Sequence, residues 1–544
     1  MRRPSPRALV AAPLLAASLL ALVPVHPAGA ATVPWRPWSR AAFEQAHRER
    51  RLVLLEIGST WSHACHVVEK TVWGDSTVTA AVDSYYVAIR ADGDRRPDIA
   101  DRYLAGGWPT TAILTSDGQV LISQDVIDPR AVRSMLREMH ALYAENRIDI
   151  ERRAAQSARL VERTWRSDSL VAPDMPFEEW YRKNLDAVRQ AEDATNGGFG
   201  AAPKLPQFES IRFLLAAAAT RNDRDARDLG LRTLRAALHL EDRLWGGFFR
   251  FAGDADWKRP HTEKLLTGNA DALQALIAAV DVGGGPAFRD AALRTEGFAT
   301  TFLWDPARGG WWESQDADLL HRSGGEPPLT GEVYYGLGDK LRREQGIPSV
   351  DSLFLADGNA RMASAILRGE RSGLWKGAAT ARALRALDRL WAVQRAPDGA
   401  FYHAWERGRA TLPGLLSDQA YAGLALLDAY ETTKDRKYRT RAETVARWIR
   451  DHLEDPVGGG FRYGVRDTTA VGRLRAGDKP EGANVAAATF FARLYQLSGR
   501  DEDRRSADRA LAWLRSGDVL VLDPARAELG LRLVTIEESE PAKR

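Results

Sequence analysis

Residues 59–66 read Ser-Thr-Trp-Ser-His-Ala-Cys-His, directly behind Gly58 and the apolar run 52–57. An apolar run that enters a polar turn and then a helical pattern is a strand, turn and helix in succession. Working outward, residues 40–50 form a charged helical stretch and 85–89 a second apolar strand. A short helix opens at Pro97, strands at 111–114 and 120–122 pair across Ser116-Asp117-Gly118, and a last helix opens at Pro129. This order predicts an α/β domain with a central sheet over residues 36–145.

Three segments resemble, in order, a thioredoxin-domain family that includes the spermatogenesis-associated members: STWSHACHVVEKTVW from Ser59, ADGDRRPDIADRY from Ala91 and GGWPTTAILTSDG from Gly106. Members of that family read C-H-W-C-H where this chain has Ser62, His63, Ala64, Cys65 and His66. The resemblance implies a thioredoxin-like fold in which Pro109, after Trp108, is the cis-proline facing the redox motif.

Serine at position 62 removes the attacking thiol. Disulfide exchange needs an exposed thiolate and a second sulfur to resolve the mixed disulfide, and the chain has one cysteine in all. Cys65 is expected to be the inner, more buried sulfur, acting as a small apolar residue. Two other readings stay open: a metal contact from His63, Cys65 and His66, opposed by the different directions of neighbouring helical side chains, and a contact face for a protein partner or the second domain. Neither metal nor cofactor is expected.

After a helical linker at 146–173, residues 174–540 carry long stretches with helical periodicity and no strand pattern. A glycine–aromatic turn recurs at Gly197, Gly246, Gly309, Gly399 and Gly459, in steps of 49, 63, 90 and 60 residues. Helix hairpins repeating at this period predict an all-α (α/α)6 toroid, with the 90-residue step holding a degenerate unit near Asp357. The family resemblance extends here through GGFGAAPKLPQF, WKRPHTEKLLTGNA, LPGLLSDQAY and PEGANVAA. It implies a six-hairpin glycosidase-like barrel. His261, Glu263, Lys264 and Asn269 keep the family pattern, while Gly268 stands where an aspartate is usual.

Aligning the turns puts Ala201, Arg250, Glu313, His403 and Tyr463 at one equivalent position, a candidate ring around a pocket mouth. Barrels of this class include inverting glycosidases, which use carboxyls about 6.5–9.5 Å apart, and sugar epimerases, which move a proton between two histidines. The catalytic candidates are His261, Glu263, Asp316, Asp318, His403, Asp418 and Glu481. Each also has a structural reading, as a turn cap for Asp316 and Asp318, a helix start for Glu263 or a core residue for His261.

Arg2, Arg3 and Arg7, the apolar run 8–23 and Ala28-Gly29-Ala30 read as a signal peptide over residues 1–30. Export to the periplasm or outside the cell is expected, with no membrane span after cleavage. Its removal leaves Lys+Arg equal to the 73 Asp+Glu. No basic stripe suited to nucleic acid stands out. The expected partners are a carbohydrate-like small molecule in the barrel and a protein at the thioredoxin face.

Overall fold

The computed structural model describes residues 32–125, 128–166, 169 and 176–516. Residues 1–30, read above as a signal peptide, and everything past 516 lie outside them.

The N-terminal domain is thioredoxin-like. Its sheet runs β1 (Arg36–Pro37), β3 (Tyr86–Asp92), β2 (Leu52–Gly58), β4 (Thr110–Leu114), β5 (Val120–Gln124), parallel across the first three strands and antiparallel thereafter. Every residue of β2 is buried because helices cover both faces of the sheet. Leu52 and Leu54 pack with Val78, Val82 and Leu136 on one side. Val53, Leu55 and Ile57 pack with Phe43, Ile99 and Tyr103 on the other. The helices are α1 (Arg40–Glu49), α2 (His63–Val68), α3 (Ser76–Tyr85), α4 (Pro97–Tyr103) and α5 (Pro129–Arg163). Helix α5 kinks at Asn146 and runs on toward the second domain.

The second domain alternates outer and inner helices: α6 (Phe177–Gln190), α7 (Phe208–Arg221), α8 (Arg224–Ala237), α9 (Leu266–Asp281) and α10 (Pro286–Phe298). After α11 (Gly331–Tyr335) and α12 (Asp339–Gln345) come α13 (Ala356–Arg371), α14 (Ala378–Val393), α15 (Leu416–Thr433), α16 (Arg436–His452), α17 (Glu481–Ser498) and α18 (Asp501–Arg515). Helices α7, α9, α13, α15 and α17 pack side by side as the inner ring, an (α/α)6 arrangement with five inner helices among the described residues. Inside this ring Arg371 and Arg493 share the buried Asp428 carboxylate at 2.7 and 2.8 Å.

Each glycine–aromatic turn joins an outer helix to the next inner one. At Gly246 φ is +76°, and a Cβ there would stand 2.1 Å from the Arg294 carbonyl oxygen, so both conformation and space demand glycine. An amide at the head of the following inner helix clamps four of the turns by accepting from and donating to the backbone of one aromatic residue. The pairs are Asn269 with Phe248, Asn359 with Trp311, Gln419 with Phe401 and Asn484 with Phe461. In three turns an Asp pairs with a lysine that also donates to a glycine carbonyl of the turn: Asp193 with Lys204, Asp242 with Lys264, Asp455 with Lys479.

Two sequence expectations are corrected. The 90-residue step holds no degenerate turn: Asp357 opens inner helix α13, whose Asn359 clamps the Gly309 turn, and the extra length is an insertion carrying α11 and α12. The domain also contains short strands, among them Ser314–Gln315, which pairs with Lys264–Leu265 and Val350–Asp351, and the hairpin Tyr402–Glu406 with Arg409–Pro413. They tie turn loops together at the end of the barrel that faces the thioredoxin-like domain, and runs of two residues leave no readable alternation.

Candidate functional site

The face of the thioredoxin-like domain that carries residues 59–66 is docked on the barrel mouth. Trp61 O accepts from Ala317 N at 3.1 Å, and Thr60 Oγ1 donates to Asp351 at 2.8 Å. Arg95 reaches both Asp351 oxygens at 2.9 Å and both Glu406 oxygens at 3.1 and 2.8 Å. Such bidentate guanidinium–carboxylate pairs fix orientation as well as contributing energy. The contact face left open between a protein partner and the second domain is therefore taken by the chain's own barrel.

Four of the five ring residues meet this domain. Arg250 lies over the Trp61 ring at 4.8 Å, Tyr463 donates to Asp101 at 2.7 Å, and His403 Nε2 faces the Asp94 carbonyl at 2.8 Å. Glu313 is 3% exposed with Oε2 unpartnered, and burial, then Asp94 and Asp357, push its carboxyl well above the usual range. Ala201 is exposed. Asp94, which donor and acceptor patterns in the sequence did not single out, accepts from Trp61 Nε1 at 2.5 Å, and burial with Asp92 beside it pushes its pKa up to about 7.

His403 is buried against Asp418, with Nδ1 3.0 and 3.2 Å from the two carboxylate oxygens. Both ring nitrogens face acceptors, which only the imidazolium satisfies. Burial opposes that charge, but Asp418 outweighs it and raises the pKa to about 10. His403 is thus no proton acceptor at neutral pH, and it does not line the cavity that His261 lines.

That cavity, about 320 Å³, sits at the seam and is lined by His63, His261, Glu263, Asp318, Arg259 and Glu332 among others. His261 stacks on Phe251 with centroids 4.0 Å apart. Partial loss of hydration, aided by Arg250 and opposed by Glu263, keeps its pKa below the usual value, so it is neutral. Glu263 is 1% exposed, its Oε2 has no hydrogen-bond partner, and Arg250 stands 3.7 Å from Oε1. Asp318 and Asp316 are buried and meet the histidines of α2: Asp318 Oδ2 is 2.7 Å from His63 Nδ1 and 3.1 Å from His66 Nδ1. These imidazoles and the Gly331 N–H hold the Asp318 carboxyl below the usual carboxylate range despite burial. Glu481 is exposed in the first turn of α17 and lines none of this.

The Trp108–Pro109 bond is cis. Cys65 is half-buried; burial raises its thiol pKa, only partly offset by a hydrogen bond from Ser62. The first-cysteine position is thus a buried serine and the second a poorly ionised thiol.

Residues 26–162 match the family described as Thioredox_DsbH, a protein of unknown function, DUF255. Over 477 residues the chain is 25% identical to the uncharacterized protein B0495.5 of Caenorhabditis elegans, covering 78% of this chain and 63% of that one. Over 325 residues it is 25% identical to the spermatogenesis-associated protein 20 of Homo sapiens, covering 56% of this chain and 41% of that one. The chain spans under two thirds of the length of these curated relatives. Among solved structures, a sugar epimerase from a ruminal bacterium superposes with a TM-score of 0.52 at 14% identity, covering 66% of this chain and 99% of that one. The cellobiose 2-epimerase of Bacillus thermoamylovorans gives 0.51 at 12%, covering 65% and 97%. At such identities the likeness is one of fold. The sequence matches make the chain similar to the thioredoxin-domain family that includes the spermatogenesis-associated proteins, and the structural likeness gives the second domain an (α/α)6 barrel fold behind the thioredoxin-like domain.

Proposed function

We propose that this chain is an exported protein that takes a carbohydrate-like small molecule in the cavity beside His261 and Glu263, with the thioredoxin-like domain as a redox-inactive wall of that site. The observation that carries the reading is Glu263: it is among the residues lining the cavity, is 1% exposed, and keeps one carboxyl oxygen without a partner. Leaving a buried acceptor unsatisfied costs about 1–3 kcal/mol, and a ligand hydroxyl would satisfy it. The cavity volume of about 320 Å³ falls at the low end of ligand sites, about 300–1,000 Å³. Epimerases and isomerases of sugars share the barrel fold, which is support by analogy only.

Proton transfer fits the residues better than hydrolysis. An inverting hydrolase needs one carboxyl held protonated as the acid, and Asp318, which lines the cavity with Glu263 and Glu332, is held ionised by its histidines. A neutral His261 beside a carboxylate is equipped to accept a proton from a hydroxyl, or from the carbon next to a carbonyl in a ring-opened sugar.

The test is a thermal-shift screen of mono- and disaccharides, aldoses and ketoses alike. A ligand at 100 times its Kd adds about 2.7 kcal/mol to stability. The expected result is a sugar that raises Tm for the wild type and fails to do so for His261→Ala and Glu263→Gln. No stabilising sugar, or a shift untouched by both variants, would end this reading.

Redox inactivity is tested separately by alkylating Cys65 in the folded protein. With the thiol pKa raised by burial, modification at pH 7 is expected to run slower than for an unfolded control, with no turnover of a disulfide substrate. Fast labelling with catalytic turnover would restore an oxidoreductase.

A further inference from the structure

We propose that His63, His66, Asp316 and Asp318 bind one divalent transition-metal ion of the zinc type at the seam between the two domains. The two histidines are three residues apart on α2, so their rings share one helix face while Cys65 points elsewhere. The carboxylates come from the barrel loop that follows the strand Ser314–Gln315 and are held before any ion arrives. Asp316 Oδ1 accepts from Asp318 N at 2.8 Å and Asp318 Oδ1 accepts from Gly331 N at 2.9 Å, which leaves the Oδ2 atoms of both for the histidines.

The donor atoms converge. Asp318 Oδ2 stands 2.7 Å from His63 Nδ1 and 3.1 Å from His66 Nδ1. One ligand atom each from His66, Asp316 and Asp318 fit within 4.8 Å of one another. Around a four-coordinate zinc with bonds of about 2.0–2.2 Å, donors sit about 3.3 Å apart, a spacing that Asp318 and the two imidazoles already approach, while Asp316 has to draw in to complete the set. His66 Nε2 lies 2.9 Å from the Thr60 carbonyl. Donating there fixes the tautomer that offers Nδ1 to a metal, the usual outer arrangement of ligating histidines. Two nitrogens with two carboxylate oxygens suit zinc, cobalt or copper and not the all-oxygen preference of magnesium or calcium.

An independent observation points to the same place. The half-exposed His63 and buried Asp318 line the seam cavity, which gives an ion an entry path, and along the same cavity lies Glu263, whose Oε2 has no hydrogen-bond partner. It would accept from a water on the ion. The inference does not rest on a carbohydrate ligand, because it is read by metal content alone.

The full chain, stripped with a chelator and dialysed, is titrated with Co²⁺ and then with Zn²⁺. The expected result is one Co²⁺ per chain with the visible absorption of a four-coordinate nitrogen–oxygen site, displaced by Zn²⁺. His63→Gln, a change at a half-exposed side chain that leaves the fold intact, is expected to weaken binding at least tenfold. Asp318→Asn should do the same, and Cys65→Ser should leave the spectrum unchanged. Absence of stoichiometric binding would overturn the proposal, as would equal affinity in His63→Gln and wild type. So would a sulfur-to-cobalt absorption lost in Cys65→Ser, since the ligand set would then be a different one.

Discussion

Replacing Asp242 by alanine is expected to lower the stability of the barrel by about 3–5 kcal/mol, the cost of stranding a buried charge. Asp242 is 3% exposed and holds two buried cations at once, Lys264 Nζ at 2.7 Å and Arg342 Nη1 at 2.9 and 3.0 Å. Lys264 has no water to turn to: its ammonium is surrounded by the rings of Phe249, Phe298 and Tyr335 at 5.3, 4.6 and 5.1 Å. Burial already lowers its pKa to about 8, even with Asp242 in place. Asp242 Oδ1 also accepts from Leu244 N at 3.1 Å, so the turn loses a constraint as well. Denaturant midpoints measure the effect. The double variant Asp242→Leu with Lys264→Met, which leaves only Arg342 without its partner, should recover much of the loss. If Asp242→Ala lies within about 0.5 kcal/mol of wild type, a surface-like effect, the triad is not what holds this turn. The matching change at Asp193 should cost less, because that carboxylate is partly exposed.

These clamps show where sequence reading stops. The glycine–aromatic turns were legible because positive-φ glycine and a following ring are local requirements, repeated at each outer-to-inner passage. Their lysines were not. Lys204 follows Asp193 by 11 residues, Lys264 follows Asp242 by 22, and Lys479 follows Asp455 by 24, so no fixed spacing marks the pairing. The insertion between Ser314–Gln315 and Phe354–Leu355 was hidden for a related reason, since its short helices α11 and α12 give little periodicity.

The site divides the same way. His261, Glu263, Asp316 and Asp318 stand close together in sequence patterns and meet at one seam. The partners of the two aspartates, His63 and His66, and the neighbouring Trp61, Asp94 and Arg95 that hold the docking lie more than 150 residues upstream, on another domain. Register alone grouped Arg250, Glu313, His403 and Tyr463, but nothing in it could say that the thioredoxin-like domain would cover them. The missing cysteine and the covered face coincide: residues 59–66 are docked at hydrogen-bond distance against Ala317, Asp318 and Asp351.

Raising the pH from 6.5 to 10 is expected to loosen that docking, and His403 is the group that reports it. Its imidazolium bridges the domains, donating to Asp418 in the barrel and to the Asp94 carbonyl in the thioredoxin-like domain. The folded pKa is raised to about 10, against about 6.5 in an unfolded chain. The folded state therefore binds more protons across that interval, so the stabilisation is complete below pH 6.5 and is lost as pH climbs through 10. The maximum slope is about 1.4 kcal/mol per pH unit for one proton, giving a loss of several kcal/mol at most. Other groups titrate over the same range. His66, raised to about 9, acts in the same direction, whereas Lys264, lowered to about 8, acts against it. Both cancel when wild type is compared with His403→Gln, which keeps a donor and an acceptor but no titratable proton. Asp418 and Asp357, which face His403, stay in place in that comparison, as does Glu313. The variant should be the less stable protein at pH 6, with the two Tm profiles converging toward pH 10. Parallel profiles would mean that His403 is neutral in the fold. It would then be free to accept a proton at the barrel mouth, and the two-histidine mechanism would return in place of the clamp.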